Sequence, residues 1–173
     1  MKDGQPAAIY LKDYQVPSHL ISAVQLKFEL FPDKTYVYAC LKMRVNPASS
    51  EAPGALTLQG EQLELKSISV DGRALAAHEY CVDESSLTLS STPDEFELAT
   101  VVAIDPAQNT ALEGLYLSSG NYCTQCEAEG FRKITYYLDR PDVMAVFTVR
   151  IEADSDTMPV LLSNGNRIQQ GTL

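Results

Sequence analysis

The chain has 173 residues, 13 of them basic and 23 acidic, giving a formal net charge of −10. That balance argues against a nucleic-acid partner, whose recognition starts from a basic face. The length fits one domain that buries about 70% of the surface its unfolded chain exposes, so neither a disulfide nor a metal is needed to make a core. No apolar run approaches the roughly 20 residues that span a bilayer, and Met1-Lys2-Asp3-Gly4-Gln5-Pro6 lacks the apolar centre of a secretory signal. Cys40, Cys81, Cys123 and Cys126 are therefore expected as reduced thiols in a cytoplasmic protein.

Residues 1–19, with Pro6 and Pro17, are expected as an extended arm. From Leu20 the apolar residues alternate: Val24, Leu26, Phe28 and Leu30 fall on one face, and Gln25, Lys27 and Glu29 on the other. Pro32-Asp33-Lys34 makes a turn, after which Val37, Ala39, Leu41, Met43 and Val45 alternate in the same way. This predicts a long antiparallel hairpin. Residues 47–54 read as a loop, and short strands follow at Leu56–Leu58 and Leu65–Val70. Asp71-Gly72 is a two-residue hairpin signal. Tyr80–Val82, Leu87–Leu89 and Phe96–Ile104 give further strands, and Ser118-Ser119-Gly120-Asn121 joins another hairpin. Strands at Val143–Ile151 and Val160–Leu162 complete the series, with a single helical turn expected around Lys133–Leu138. The pattern is that of an all-β protein, an antiparallel sandwich or curved sheet system, in one domain over 1–173.

The regular pattern breaks at Cys123-Thr124-Gln125-Cys126-Glu127-Ala128-Glu129-Gly130. A redox role for Cys123 and Cys126 needs a βαβ setting that the surrounding strands do not supply. A structural zinc site needs four ligands, and His19 and His78 have no metal-ligand spacing, which leaves the thiols as packing residues. There is no Gly-x-Ser-x-Gly elbow, phosphate loop or His-Glu-x-x-His helix. Glu127 and Glu129 admit two readings. They form either a solvated acidic loop or carboxylates that hold a cation in a cleft, with Gln125 as a neutral hydrogen-bonding neighbour. Phe131, Tyr136 and Tyr137 either wall that cleft or belong to the core.

Four ordered blocks carry a resemblance: residues 109–116 (Asn109 to Tyr116), 123–132 (Cys123 to Arg132), 134–143 (Ile134 to Val143) and 161–166 (Leu161 to Asn166). Together they resemble the N-terminal domain of the bacterial aminopeptidase N family, zinc metallopeptidases of the gluzincin type. The resemblance implies a saddle-like β domain packed on a thermolysin-like catalytic domain of the same polypeptide. It also implies that Glu127, the glutamate of the Gln-x-Glu segment, holds the α-amino group of the peptide substrate, with Gln125 lining the same pocket. Glu129 is a weaker candidate. The family's Gly-x-Met-Glu-Asn segment and zinc-binding helix do not occur in this sequence. The expectation is therefore a domain with no cofactor and no peptidase activity of its own, the Zn2+ belonging to a longer parent. The rival expectation is an autonomous β-sandwich module that binds a protein or carbohydrate through residues 118–140.

Overall fold

The computed structural model describes residues 10–49 and 54–172. Eleven strands follow in chain order: β1 (His19–Leu30), β2 (Thr35–Val45), β3 (Leu56–Gln59), β4 (Glu64–Val70), β5 (Arg73–Ala74), β6 (Tyr80–Val82), β7 (Ser86–Leu89), β8 (Glu95–Ile104), β9 (Gly114–Ser118), β10 (Asn121–Gln125) and β11 (Val146–Ala153). The alternation read in the sequence becomes burial. Val24 and Leu26 of β1 and Val37, Ala39, Leu41 and Met43 of β2 are buried, while Gln25, Lys42 and Arg44 between them are exposed. β1 and β2 pair antiparallel from His19↔Val45 to Leu30↔Thr35, with one slip between Ile21 and Ala23.

β2 and β8 anchor a six-stranded sheet of order β11-β1-β2-β8-β4-β5. The Asp71-Gly72 turn joins β4 to β5, and both residues have positive φ (51° and 77°), as a tight hairpin turn requires. A three-stranded sheet, β3-β7-β6, adds Leu56, Leu58, Leu87 and Leu89, all fully buried in the same apolar core. β9 and β10 form a separate two-stranded hairpin. The protein is all-β and largely antiparallel, as expected.

Three local expectations are corrected. The segment Lys133–Leu138 is not a helical turn; a 3-10 turn occupies Phe131–Lys133, and residues 134–139 then run irregular and buried. Tertiary contacts override the local pattern there, because Gln59 exchanges backbone hydrogen bonds with Tyr137 at 2.8 and 3.0 Å. Val160–Leu162 form no strand and are exposed, because apolar residues alone supply no pairing partner. β11 pairs with β1 in parallel, whereas the other pairs of named strands are antiparallel; period-2 alternation carries no information on strand direction.

The N-terminal arm, expected as extended, carries a second 3-10 turn at Leu11–Asp13 and is tied down from residue 14 onward. The Tyr14 hydroxyl donates to Asp142 at 2.8 Å, and Arg140 donates to the Gln15 carbonyl at 2.7 Å. The expectation for residues 1–9, and that for residues 50–53 of the predicted loop, lie outside the described residues.

Candidate functional site

β10 delivers the chain through Gln125 into the loop Cys126–Gly130, which then enters the 3-10 turn. The footing of this loop is the Asp139 carboxylate, only 5% exposed. Its Oδ2 accepts the backbone N–H of Gly130 at 3.0 Å, the backbone N–H of Arg132 at 3.2 Å and the Arg132 Nε–H at 2.7 Å. Arg132 Nη2 returns a bond to the Asp139 carbonyl at 3.3 Å, and the Gln59 side-chain oxygen accepts the Asp139 N–H at 3.0 Å. A buried carboxylate is tolerated only when paired and hydrogen-bonded in this way.

Two glycines make the footing possible. Gly130 has φ +136°, and a Cβ there would lie 2.9 Å from the Gln125 carbonyl oxygen. A Cβ on Gly60 would lie 2.3 Å from the Tyr136 ring, so the bare backbone lets that ring pass underneath.

The structure treats the two loop carboxylates differently. Glu129 is paired: Arg132 Nη2 sits 2.7 Å from its carboxylate, across an i,i+3 step. Arg132 also lies 3.8 Å from Glu61, whose other oxygen is 3.2 Å from Lys133 Nζ. The nearby cations are thus engaged elsewhere. Glu127 is exposed, and among the described residues no donor or cation reaches its carboxylate. Gln125, also exposed, pairs through its backbone with Gly114. The Glu127–Ala128 peptide is cis.

Asp139 and Arg132, which hold the loop, were not singled out by the sequence reading. The i,i+3 spacing of Glu129 and Arg132 was the one local signal for their pairing. Nothing local marked Asp139.

Tyr136 and Tyr137 belong to the core and Phe131 packs against it; Tyr136 also lines a cleft, but not one that the loop carboxylates share. Tyr136 and Tyr137 are buried, and half-buried Phe131 meets Tyr137 edge to face at 4.9 Å. One surface cleft of about 410 Å³ is lined by Gly60, Gln62, Leu63, Asp83, Glu84 and Tyr136. Another, about 380 Å³, lies over β2 and β8, and neither is lined by Gln125, Glu127 or Glu129.

All four cysteines are free thiols. Burial, and then the negative charge of Asp139, push the Cys126 thiol up to about 11. Such a thiol is neutral at physiological pH and is neither a nucleophile nor a ready metal ligand. Among the described residues no group of three or more His, Cys, Asp and Glu side chains converges to hold a metal ion. The described side chains therefore do not fit a zinc site.

Residues 25–173 match the family model described as the peptidase M1 N-terminal domain. The chain belongs to that family. The resemblance carried by residues 109–166 is thereby borne out. Over all 173 residues the chain is 50% identical to aminopeptidase N of Caulobacter vibrioides, and it covers 20% of that protein. The crystal structure of Legionella pneumophila aminopeptidase A in complex with aspartic acid superposes on 94% of this M1 domain, at TM-score 0.87 and 30% identity; the match covers 19% of that chain. An M1 zinc metallopeptidase from Deinococcus radiodurans shares the fold at TM-score 0.64 and 14% identity, over 80% of this chain and 33% of its own. This M1 domain thus spans about a fifth of the length of its curated relatives. Among its described residues no helix is long and apolar enough to cross a membrane.

Proposed function

We propose that this M1 N-terminal domain is the substrate-anchoring part of a longer, cytoplasmic zinc aminopeptidase. In this reading Glu127 holds the α-ammonium of a peptide while a catalytic domain of the same polypeptide cleaves the first peptide bond. The observation that carries the reading is the asymmetry of the loop: Glu129 is neutralised by Arg132, whereas Glu127 projects unpaired among the described residues.

A free α-amino group has a pKa near 7.7–8.0, so much of it is cationic at neutral pH. An exposed carboxylate on a braced loop is matched to that charge, and a charge-assisted hydrogen bond between them contributes about 1.5–3 kcal/mol. Gln125 supplies a neutral carbonyl oxygen beside it. Gripping the leading ammonium fixes which peptide bond lies over the reacting centre, and so enforces removal of one residue at a time.

The zinc of such an enzyme is held by residues outside this domain, and the domain alone has no peptidase activity. The rival, an autonomous protein- or carbohydrate-binding module, gains no support from curated relatives about five times as long.

The test is Glu127→Ala in the full-length enzyme, read as kcat/KM on an aminoacyl substrate. A loss of about tenfold or more is expected, with Glu129→Ala changing it less. A loss below about threefold, roughly 0.7 kcal/mol of transition-state binding, would overturn the anchoring role.

A further inference from the structure

The two edges of the six-stranded sheet are built differently. At one end β5 is two residues long, and Arg73 folds onto Glu79 through two bonds of 3.0 and 2.8 Å. A short, charged edge of this kind is protected against pairing with another chain. At the other end β11 has eight residues, Val-Phe-Thr-Val-Arg-Ile-Glu-Ala, with no lysine, no proline and no bulge in its register with β1. Its Arg150 is already engaged by Glu152 at 2.5 Å.

The register shows what this edge leaves uncovered. Phe147 stands beside Val24, and Val149 beside Leu26, so the apolar face of β1 continues onto β11. Val24 and Leu26 are 0% and 5% exposed, but Phe147 and Val149 are 45% and 36% exposed. The apolar layer runs one strand beyond its cover. Phe147 also packs on Phe131 at 6.0 Å and Tyr137 at 6.3 Å, and the Tyr137 hydroxyl is buried without a hydrogen-bond partner among the described residues.

We infer that the outer edge of β11 is completed by a β-strand from elsewhere in the same full-length polypeptide, with apolar side chains that close over Phe147 and Val149. This rests on the reading of the chain as one domain of a longer enzyme, and deepens it by naming the docking edge and the form of its occupant. The curated relatives are about five times as long, so polypeptide for this purpose is at hand. A second copy of the chain is the poorer occupant, because each copy carries a net charge of −10 and the two would repel.

Backbone hydrogen exchange decides the matter, measured on the 173-residue chain and on the full-length enzyme at micromolar concentration and at tenfold dilution. Amides of β11 not bonded to β1 should exchange about a hundredfold more slowly in the full-length enzyme, independent of dilution. Val149→Lys should leave the melting temperature of the 173-residue chain within about 2 °C and lower that of the full-length enzyme by more. Equal exchange in the two proteins overturns the inference, as does protection that vanishes on dilution, the signature of a second copy. Exchange is read without turnover. A weak kinetic effect of Glu127→Ala therefore leaves the added strand standing, whereas fast exchange at β11 in an active full-length enzyme removes the strand and leaves the anchoring role intact.

Discussion

The β1–β2 hairpin and the segment from Cys126 to Asp139 are held in place by opposite means. In the hairpin, side chains repeat with period two and one face is buried, so many similar contacts each contribute a little. In the loop segment, one carboxylate, one guanidinium and two bare glycines set the path, and each occurs once. Periodic burial makes a framework that tolerates change at any one position. A convergent polar network makes a defined local shape that fails when one member is lost.

The largest effect expected is in the hairpin. Leu41 is almost wholly buried at the centre of the sheet, and Leu41→Ala should cost about 3 kcal/mol in lost transfer energy and cavity. Urea unfolding followed by far-ultraviolet circular dichroism should show the whole chain losing that stability together.

Asp139→Ala should cost about 2 kcal/mol, by leaving Arg132 and two backbone N–H groups without their shared acceptor. Its signature should be local. Exchange protection should fall over residues 126–139 while β1, β2 and β8 keep theirs. A uniform loss across both regions would show that the two are one cooperative unit.

The smallest effect sharpens the same contrast through Cys126. Its thiol is raised from the ordinary 9.0 to about 11 by burial and by Asp139, so the folded chain holds that proton more tightly than the unfolded chain. The contribution is fully present below about pH 9 and is lost as pH rises toward 11. The difference in stability between the native chain and Cys126→Ala, titrated from pH 8 to pH 11, should show this decline. A flat difference would mean that the loop lets water reach the sulfur.

The framework was legible in the sequence because its determinants are local. Alternation predicted a strand at Leu20–Leu30 and β-branched content one at Phe96–Ile104, and they occur at His19–Leu30 and Glu95–Ile104. Asp71-Gly72 and Ser119-Gly120 turn where the glycine signals placed them, all four residues having positive φ. What was not legible depends on partners distant in the chain. Val160–Leu162 have strand composition but pair with no strand among the described residues. Tyr136 and Tyr137 enter the core because Gln59, some eighty residues earlier, captures the backbone around them. For the candidate site, the sequence nominates Gln125, Glu127 and Glu129; that Arg132 would neutralise one glutamate and leave the other bare required the fold.

On the role proposed for Glu127, the capture of Glu129 by Arg132 bears on selectivity. Calcium takes six to eight oxygen ligands, and magnesium demands near-ideal octahedral geometry. Two unpaired carboxylates at the tip of the loop would begin such a chelate and invite abundant divalent ions to settle there. With one of them occupied by a guanidinium, the tip presents a single charge, too few ligands to strip the hydration shell from a small ion. A primary ammonium, with three N–H donors and one positive charge, is content with a single anionic acceptor.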